Sequence, residues 1–323
     1  MKKGTALWLI TAAALVLAGI IIFGGALSMI GWDFNKLSTV EYETNTHEIN
    51  ADFEDISIVS DTALIKLLPS EDDSVKVICY EENKALHKVS VSDGILRIAL
   101  SDSKKWYEHI KIGLNFDSPK ITVYIPEGEY GSLSVDSHTG NVEIPAEFAF
   151  ESINVKVSTG HVFCAASAAK DVKIKTSTGD IKALGIKAGS LDLSVSTGRI
   201  TAEDIVCTGD VGVRVSTGRA LLSGVECKNL SSTGSTGALS LENVIAKGKI
   251  FAERDTGDVK LSLCDASEID IETDTGDVIG TLLSDKVFIT ETDTGTVKVP
   301  KTTEGGKCEI TTDTGDIKIE IEK

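Results

Sequence analysis

Four Asp-Thr-Gly tripeptides begin at Asp255, Asp274, Asp293 and Asp313 of this 323-residue chain. In aspartic proteases the same tripeptide carries the carboxylate that activates water. That chemistry needs two carboxylates sharing one proton at close range. Here the copies fall 19 or 20 residues apart, in register with His138-Thr139-Gly140 and five Ser-Thr-Gly equivalents. One structural role repeated many times accounts for them better than a catalytic pair.

The same spacing stacks Asp255, Asp258, Asp274, Asp277, Asp293, Asp313 and Asp316 into an acidic ladder. Carboxylates roughly 5 Å apart repel, and a hard cation such as Ca2+, with about six to eight oxygen ligands, would relieve them. A solvated acidic edge screened by salt is the alternative. The Gly- and Asp-rich consensus of calcium-binding repeat coils is absent. The charge is segregated: residues 251–323 hold 18 acidic and 8 basic side chains, whereas residues 131–250 hold 12 of each. A net charge of −17 argues against nucleic acid as a partner, because its phosphates would be repelled.

Other chemistry is sparse. His47, His87, His109, His138 and His161 show no metal-ligand spacing in the sequence. No phosphate-binding glycine loop, nucleophile elbow or HExxH motif occurs. None of Cys79, Cys164, Cys207, Cys227, Cys264 and Cys308 forms a CxxC pair. Cys164 and Cys308 take inward slots as small hydrophobes. Cys207 and Cys227 each lie nine residues after a repeat glycine, so they should stack in adjacent coils within disulfide range; buried free thiols are the default. The sequence therefore assigns no catalytic residue and no cofactor beyond a Ca2+ ladder, and predicts a protein that is not an enzyme.

The element behind this spacing is a repeat. At a period of 19 or 20 residues Thr-Gly occurs ten times, with glycines at 140, 160, 179, 198, 218, 237, 257, 276, 295 and 315. Apolar side chains such as Leu191, Leu193 and Val195 lie seven, five and three places before a glycine. Others, such as Ile200 and Ala202, lie two and four places after it. Period-two alternation on both sides predicts two short strands, each with one buried face. The jump of five between the buried positions requires a corner, which glycine permits. One such unit cannot bury its own face, but stacked units share a core. The prediction is an all-β repeat solenoid (a β-helix) of about ten 19–20-residue coils. At about 4.8 Å per coil it would be roughly 48 Å long. The sixth repeat is the weakest, with Leu230, Ser232 and Gly234 in the usual apolar slots, and reads as a local kink or as sequence drift.

Ahead of the repeats, residues 5–30 run without a charge, long enough to cross a bilayer as a helix. Lys2 and Lys3 precede the run and Trp32 and Asp33 follow it. The positive-inside bias places the N-terminus in the cytoplasm and the remainder outside; a cleaved signal peptide is the competing reading. The chain thus divides into a cytoplasmic stub and transmembrane helix (1–32), a β-rich opening section and cap (33–130) and the Thr-Gly solenoid (131–323).

The Gly31-Trp32-Asp33-Phe34 segment, the run Tyr42-Glu43-Thr44-Asn45-Thr46, the turn Ser92-Asp93-Gly94-Ile95-Leu96 and the Ser-Thr-Gly-Asp and Asp-Thr-Gly-Asp ladder together resemble the bacterial putative-adhesin domain family. The resemblance covers nearly everything after residue 32. It implies a bacterial envelope protein with a β-solenoid ectodomain, and brings no catalytic residues with it. Some relatives are linked to envelope-stress signalling. Two functions are therefore expected: a membrane-anchored, adhesin-like binding module for a surface or cell-wall ligand, or an envelope-stress sensor or regulatory partner of another membrane protein.

Overall fold

The computed structural model describes residues 3–29, 31, 41–102 and 118–322. Trp32, Asp33, Phe34 and His109 lie outside them. Helix α1 (Lys3–Met29) contains a 22-residue stretch, Trp8–Met29, with a mean hydropathy of 2.4. It is long and apolar enough to cross a membrane.

The rest is a β-solenoid. In the coil around Gly198, Leu191, Leu193 and Val195 are buried before the corner, Ile200 and Ala202 after it, and Ile205 and Cys207 further on. This coil thus has three inward runs where two strands were expected. The added bend lies six residues after the glycine. A residue with positive φ sits there in five successive coils: Gly185, Asp204, Gly224, Asn243 and Leu263, at 65°, 55°, 64°, 50° and 54°. Only Gly, and less readily Asn or Asp, visits this region at low cost, so Leu263 is strained.

At the Thr-Gly corner the requirement for glycine is stricter. Gly160 has φ of 151°, and a Cβ there would overlap the Gly140 carbonyl oxygen one coil below. The same contact recurs up the column. The threonines pair in parallel register, Thr139 with Thr159, then Thr178, Thr197 and Thr217.

Stacking follows sequence order until the last two coils. The strand Glu268–Thr275 pairs with Lys307–Thr314, not with the intervening Lys286–Thr294. Lys286–Thr294 instead pairs on the far side of Gly306–Thr314. The C-terminal coil is therefore inserted between its two predecessors, and Gly315 stacks on Gly276 while Gly295 stacks on Gly315.

The N-terminal end is also threaded out of order. Strands β1 (Tyr42–Ile49), β2 (Asp55–Thr62), β3 (Leu64–Pro69), β4 (Val75–Glu82), β5 (Ala85–Ser92), β6 (Ile95–Asp102), β7 (Lys120–Ile125), β8 (Gly128–Thr139) and β9 (Val142–Ile144) come first in the chain. β2 and β3 form a coil whose corner is Thr62-Ala63, with Thr62 paired to Thr139 and Ile65 to Val142. β6 and β7 form a further layer outside it. Beyond that layer, antiparallel β5 edges one wall, and β4 followed by β1 edges another. These antiparallel strands cap the solenoid, as bare parallel edges would otherwise recruit other chains.

Candidate functional site

Three polar features stand out against the aliphatic interior. The first is the corner ladder. At six of the ten repeat glycines the following residue points its side chain along the rod and caps the amide of the coil stacked on it. The Asn141 Oδ1 accepts from the His161 N–H at 2.9 Å, His161 Nδ1 from the Asp180 N–H at 3.1 Å, and Asp180 Oδ1 from the Arg199 N–H at 2.9 Å. The pattern resumes in the acidic half: Asp258 Oδ1 accepts from the Asp277 N–H at 3.2 Å, Asp277 from the Asp316 N–H at 2.8 Å, and Asp316 from the Thr296 N–H at 2.8 Å. The bond from Thr296 holds the Asp316 carboxyl below its ordinary value.

Asp255, Asp274, Asp293 and Asp313, two residues before their glycines, are exposed. The seven ladder carboxylates thus form two columns along one corner, one committed to backbone amides and one free in solvent. Among the described residues, no three of their oxygens converge to within 4.8 Å.

The second feature explains the weak sixth repeat. Arg254 occupies the inward slot three residues before Gly257 and is 3% exposed. Nη1 donates to the Ser232 and Glu253 carbonyls at 3.0 and 2.6 Å, and Nη2 donates to Ser232 Oγ at 2.7 Å. Burial lowers its pKa to about 10. Ser232 and Gly234, out of pattern as a sequence, are the partner and the space for a guanidinium donated by the next coil. Elsewhere in this column Thr176 and Thr312 donate their hydroxyls to the Gly160 and Gly276 carbonyls.

The third feature lies in the N-terminal cap, and sequence spacing did not reveal it. Cys79 and Glu81 on β4, His87 on β5 and Ser60 on β2 are all buried. His87 Nδ1 lies 2.7 Å from Glu81 Oε2, and His87 Nε2 lies 3.2 Å from Ser60 Oγ. Glu81 also accepts from the His87 N–H at 2.6 Å and from Asn45 Nδ2 at 3.0 Å. Desolvation, then the neighbouring Glu81, pushes the Cys79 thiol up to about 12. Ser60, His87 and Glu81 have the hydrogen-bond order of a nucleophile–base–orienter relay. Yet Ser60 is only 3% exposed, so a substrate carbonyl cannot reach its hydroxyl. An open cleft on the cap's flank, lined by Glu48, Asp52, Asp72, Lys76 and Tyr130 among others, does not include these residues. The signal that could have found the cluster is the alternation of polar Cys79 and Glu81 at positions that β4 must bury.

All six cysteines are free and buried. Burial also raises the Cys227 thiol to about 12, with Cys207 a smaller contributor.

The architecture defines a class: a parallel β-solenoid with glycine corners, preceded by one apolar helix. Within it, residues 53–320 match the family described as Toastrack DUF4097, and the chain belongs to that family. Similar solved structures include a "putative lipid binding protein" from Parabacteroides distasonis, at 15% identity over 88% of this chain and 98% of that one, with a TM-score of 0.43. A "putative adhesin" from Bacteroides fragilis matches at 15% identity over 87% and 97%, with a TM-score of 0.34. A second "putative adhesin" from Parabacteroides distasonis matches at 14% over 87% and 98%, with a TM-score of 0.32. Among curated proteins, none matches the chain.

Proposed function

We propose that the chain is a non-enzymatic binding rod, adhesin-like in its role, held at the cell envelope by α1 with its N-terminus in the cytoplasm and its solenoid outside. The observation that carries this reading is the uninterrupted coil. The ten periodic Thr-Gly turns stack in one column, and among the described residues of the coils after residue 131 no long loop is inserted from which a cleft could be built. What such a body offers is a long lateral surface, as solenoids usually do. Its charge supports a division of labour along the axis. The middle coils carry Lys173, Lys175, Arg199, Arg214 and Arg219, while the coils after residue 250 are strongly acidic. A cationic ligand, or an anionic cell-wall polymer bridged by Ca2+, suits the acidic half.

The test has two arms. In intact cells, added protease should cleave the solenoid from its anchor; full protection would sink the surface-display reading. A serine-directed fluorophosphonate should leave Ser60 unlabelled; stoichiometric labelling would mean an enzyme.

A second reading, regulation of another membrane protein, draws on Gly19, Gly24 and Gly25 of α1. Open space surrounds all three, and small residues let transmembrane helices approach closely. Co-purification of one stoichiometric membrane protein, lost on replacing these glycines by leucine, would favour it.

A further inference from the structure

The cap cluster has a composition that hydrogen bonding alone does not explain: a thiol, a carboxylate and an imidazole packed together out of water. Cys79 and Glu81 alternate on β4, so both face inward, and His87 reaches them from β5. One ligand atom from each lies within 4.8 Å of the other two, and all three residues are buried. We propose that Cys79, Glu81 and His87 form a structural Zn2+ site that ties β4 to β5, the capping strands of two different walls, over the N-terminal end of the solenoid.

The donor set selects the metal. Zinc is borderline-soft and takes sulfur, nitrogen and oxygen together in a tetrahedron, whereas Ca2+ and Mg2+ require oxygen. Charge supports the same choice. A thiolate and a carboxylate balance Zn2+, and imidazole is neutral, so the set sums to zero where an unpaired charge would be costly. As the sulfur–zinc bond forms, the thiol proton leaves to solvent.

The surroundings supply the outer contacts that orient metal ligands. Ser60 Oγ, 3.2 Å from His87 Nε2, accepts the imidazole N–H and leaves Nδ1 for the metal. Asn45 Nδ2 donates to Glu81 Oε1 at 3.0 Å, turning Oε2 inward. His87 Nδ1 and Glu81 Oε2 are 2.7 Å apart and move about 1 Å further apart to admit the ion, since tetrahedral zinc ligands sit roughly 3–4 Å from one another.

An independent observation on the neighbouring strand concerns the fourth position. His47 shares a face of β1 with Asn45, which pairs with Cys79. Its Nε2 is buried and has no hydrogen-bond partner. That nitrogen is not among the ligand atoms that converge within 4.8 Å, and His47 pairs with Val77, on the side of Cys79 away from Glu81, so the fourth position falls to a water molecule.

The full-length protein in detergent, stripped with EDTA, is titrated with Co2+ and then with Zn2+. One Co2+ per chain is expected, with a thiolate-to-cobalt charge-transfer band and the intense visible bands of tetrahedral coordination, all displaced by Zn2+. Cys79→Ser should abolish the charge-transfer band, and His87→Ala should weaken binding at least about tenfold. The double variant Asp258→Asn/Asp277→Asn should bind as the wild type does. Absence of stoichiometric Co2+ binding, or a band that survives Cys79→Ser, overturns the site. Should the variants fail to fold, X-ray absorption of the zinc-loaded wild type decides: a shell with one sulfur supports the assignment, and a shell without sulfur refutes it.

Discussion

The Arg254 guanidinium occupies space that Gly234 leaves open: Nη1 lies 3.3 Å from the point where a side chain at 234 would begin. The two residues belong to adjacent coils and pair in neighbouring strands of one sheet, Gly234 opposite Arg254 itself. Among the described residues, the cation is thus held inside an aliphatic rod by hydrogen bonds to two carbonyls and one hydroxyl.

Removing that cation should cost less when its hydroxyl partner is removed with it than the two single losses together. Arg254→Val takes a donor from the Ser232 carbonyl and hydroxyl and leaves part of the guanidinium's space empty, and should destabilise by about 3 kcal/mol. Ser232→Val alone strips a hydrogen bond from a buried charge and should cost a similar amount. The double variant Ser232→Val/Arg254→Val restores the apolar ladder, so the losses should fall short of additivity by about 1–3 kcal/mol in denaturant melts. Strict additivity would mean that the two side chains act independently.

The corner glycines and the turn glycines should respond differently to the same change. Gly218 has φ of 139°, and a Cβ there would collide with the Gly198 carbonyl, whereas Gly94, at φ 73°, has open space around it. Gly94→Ala should cost about 1 kcal/mol from backbone strain alone. Gly218→Ala must also push adjacent coils away from each other, and should cost more than about 4 kcal/mol or prevent folding. Equal melting temperatures for the two variants would contradict the stacked corner.

Leu263 is a position where the natural residue is not the best one. Its φ of 54° matches that of Asn243, at 50°, in the coil below. Leu263→Asn removes strain of about 1 kcal/mol while giving up some half-buried apolar surface. A net gain of roughly 0.5 kcal/mol is expected in urea unfolding, and a loss would show that the leucine's packing outweighs its backbone cost.

Much of this was legible from period alone. The buried slots around Leu191–Val195 and Ile200 follow from alternation, and the glycine requirement follows from the five-residue jump. The second bend was not legible, because Gly185, Asp204, Gly224, Asn243 and Leu263 share a conformation across four different residue types. Nor was the inverted order of the last two coils, since identical corner motifs carry no address. Only Pro300 and the pair Gly305-Gly306, in the connection that doubles back, mark it in retrospect. The cap cluster escaped for a different reason: Cys79, Glu81 and His87 sit on the capping strands β4 and β5, outside the repeat, and meet Ser60 of the β2 coil only in the folded chain.

Acid should loosen the C-terminal coils first. The folded pKa of Asp316 is depressed below its ordinary value of 3.8 by the Thr296 N–H. A depressed carboxyl contributes stability above its unfolded pKa and loses it as the pH falls through the folded one. Protection of the Thr296 amide from hydrogen exchange should therefore be constant above about pH 5 and fall below about pH 4. In Asp316→Asn that step should vanish. An unchanged acid step in the variant would assign it to other carboxylates.

The exposed column of Asp255, Asp274, Asp313 and Asp293 decides what divalent cations do. Their partners Asp258, Asp277 and Asp316 already spend an oxygen on a backbone amide, so a Ca2+ ion would have to draw on the free column and on solvent. If the edge is simply screened, millimolar Ca2+ and Mg2+ should raise the melting temperature equally, and moderate NaCl should mimic both. If it is a calcium ladder, Ca2+ alone should raise it steeply, through the linkage of binding to folding. Equal responses are the expected result, because carboxylates in two separate columns give diffuse screening more readily than the six or more oxygens, roughly, that Ca2+ requires around one point.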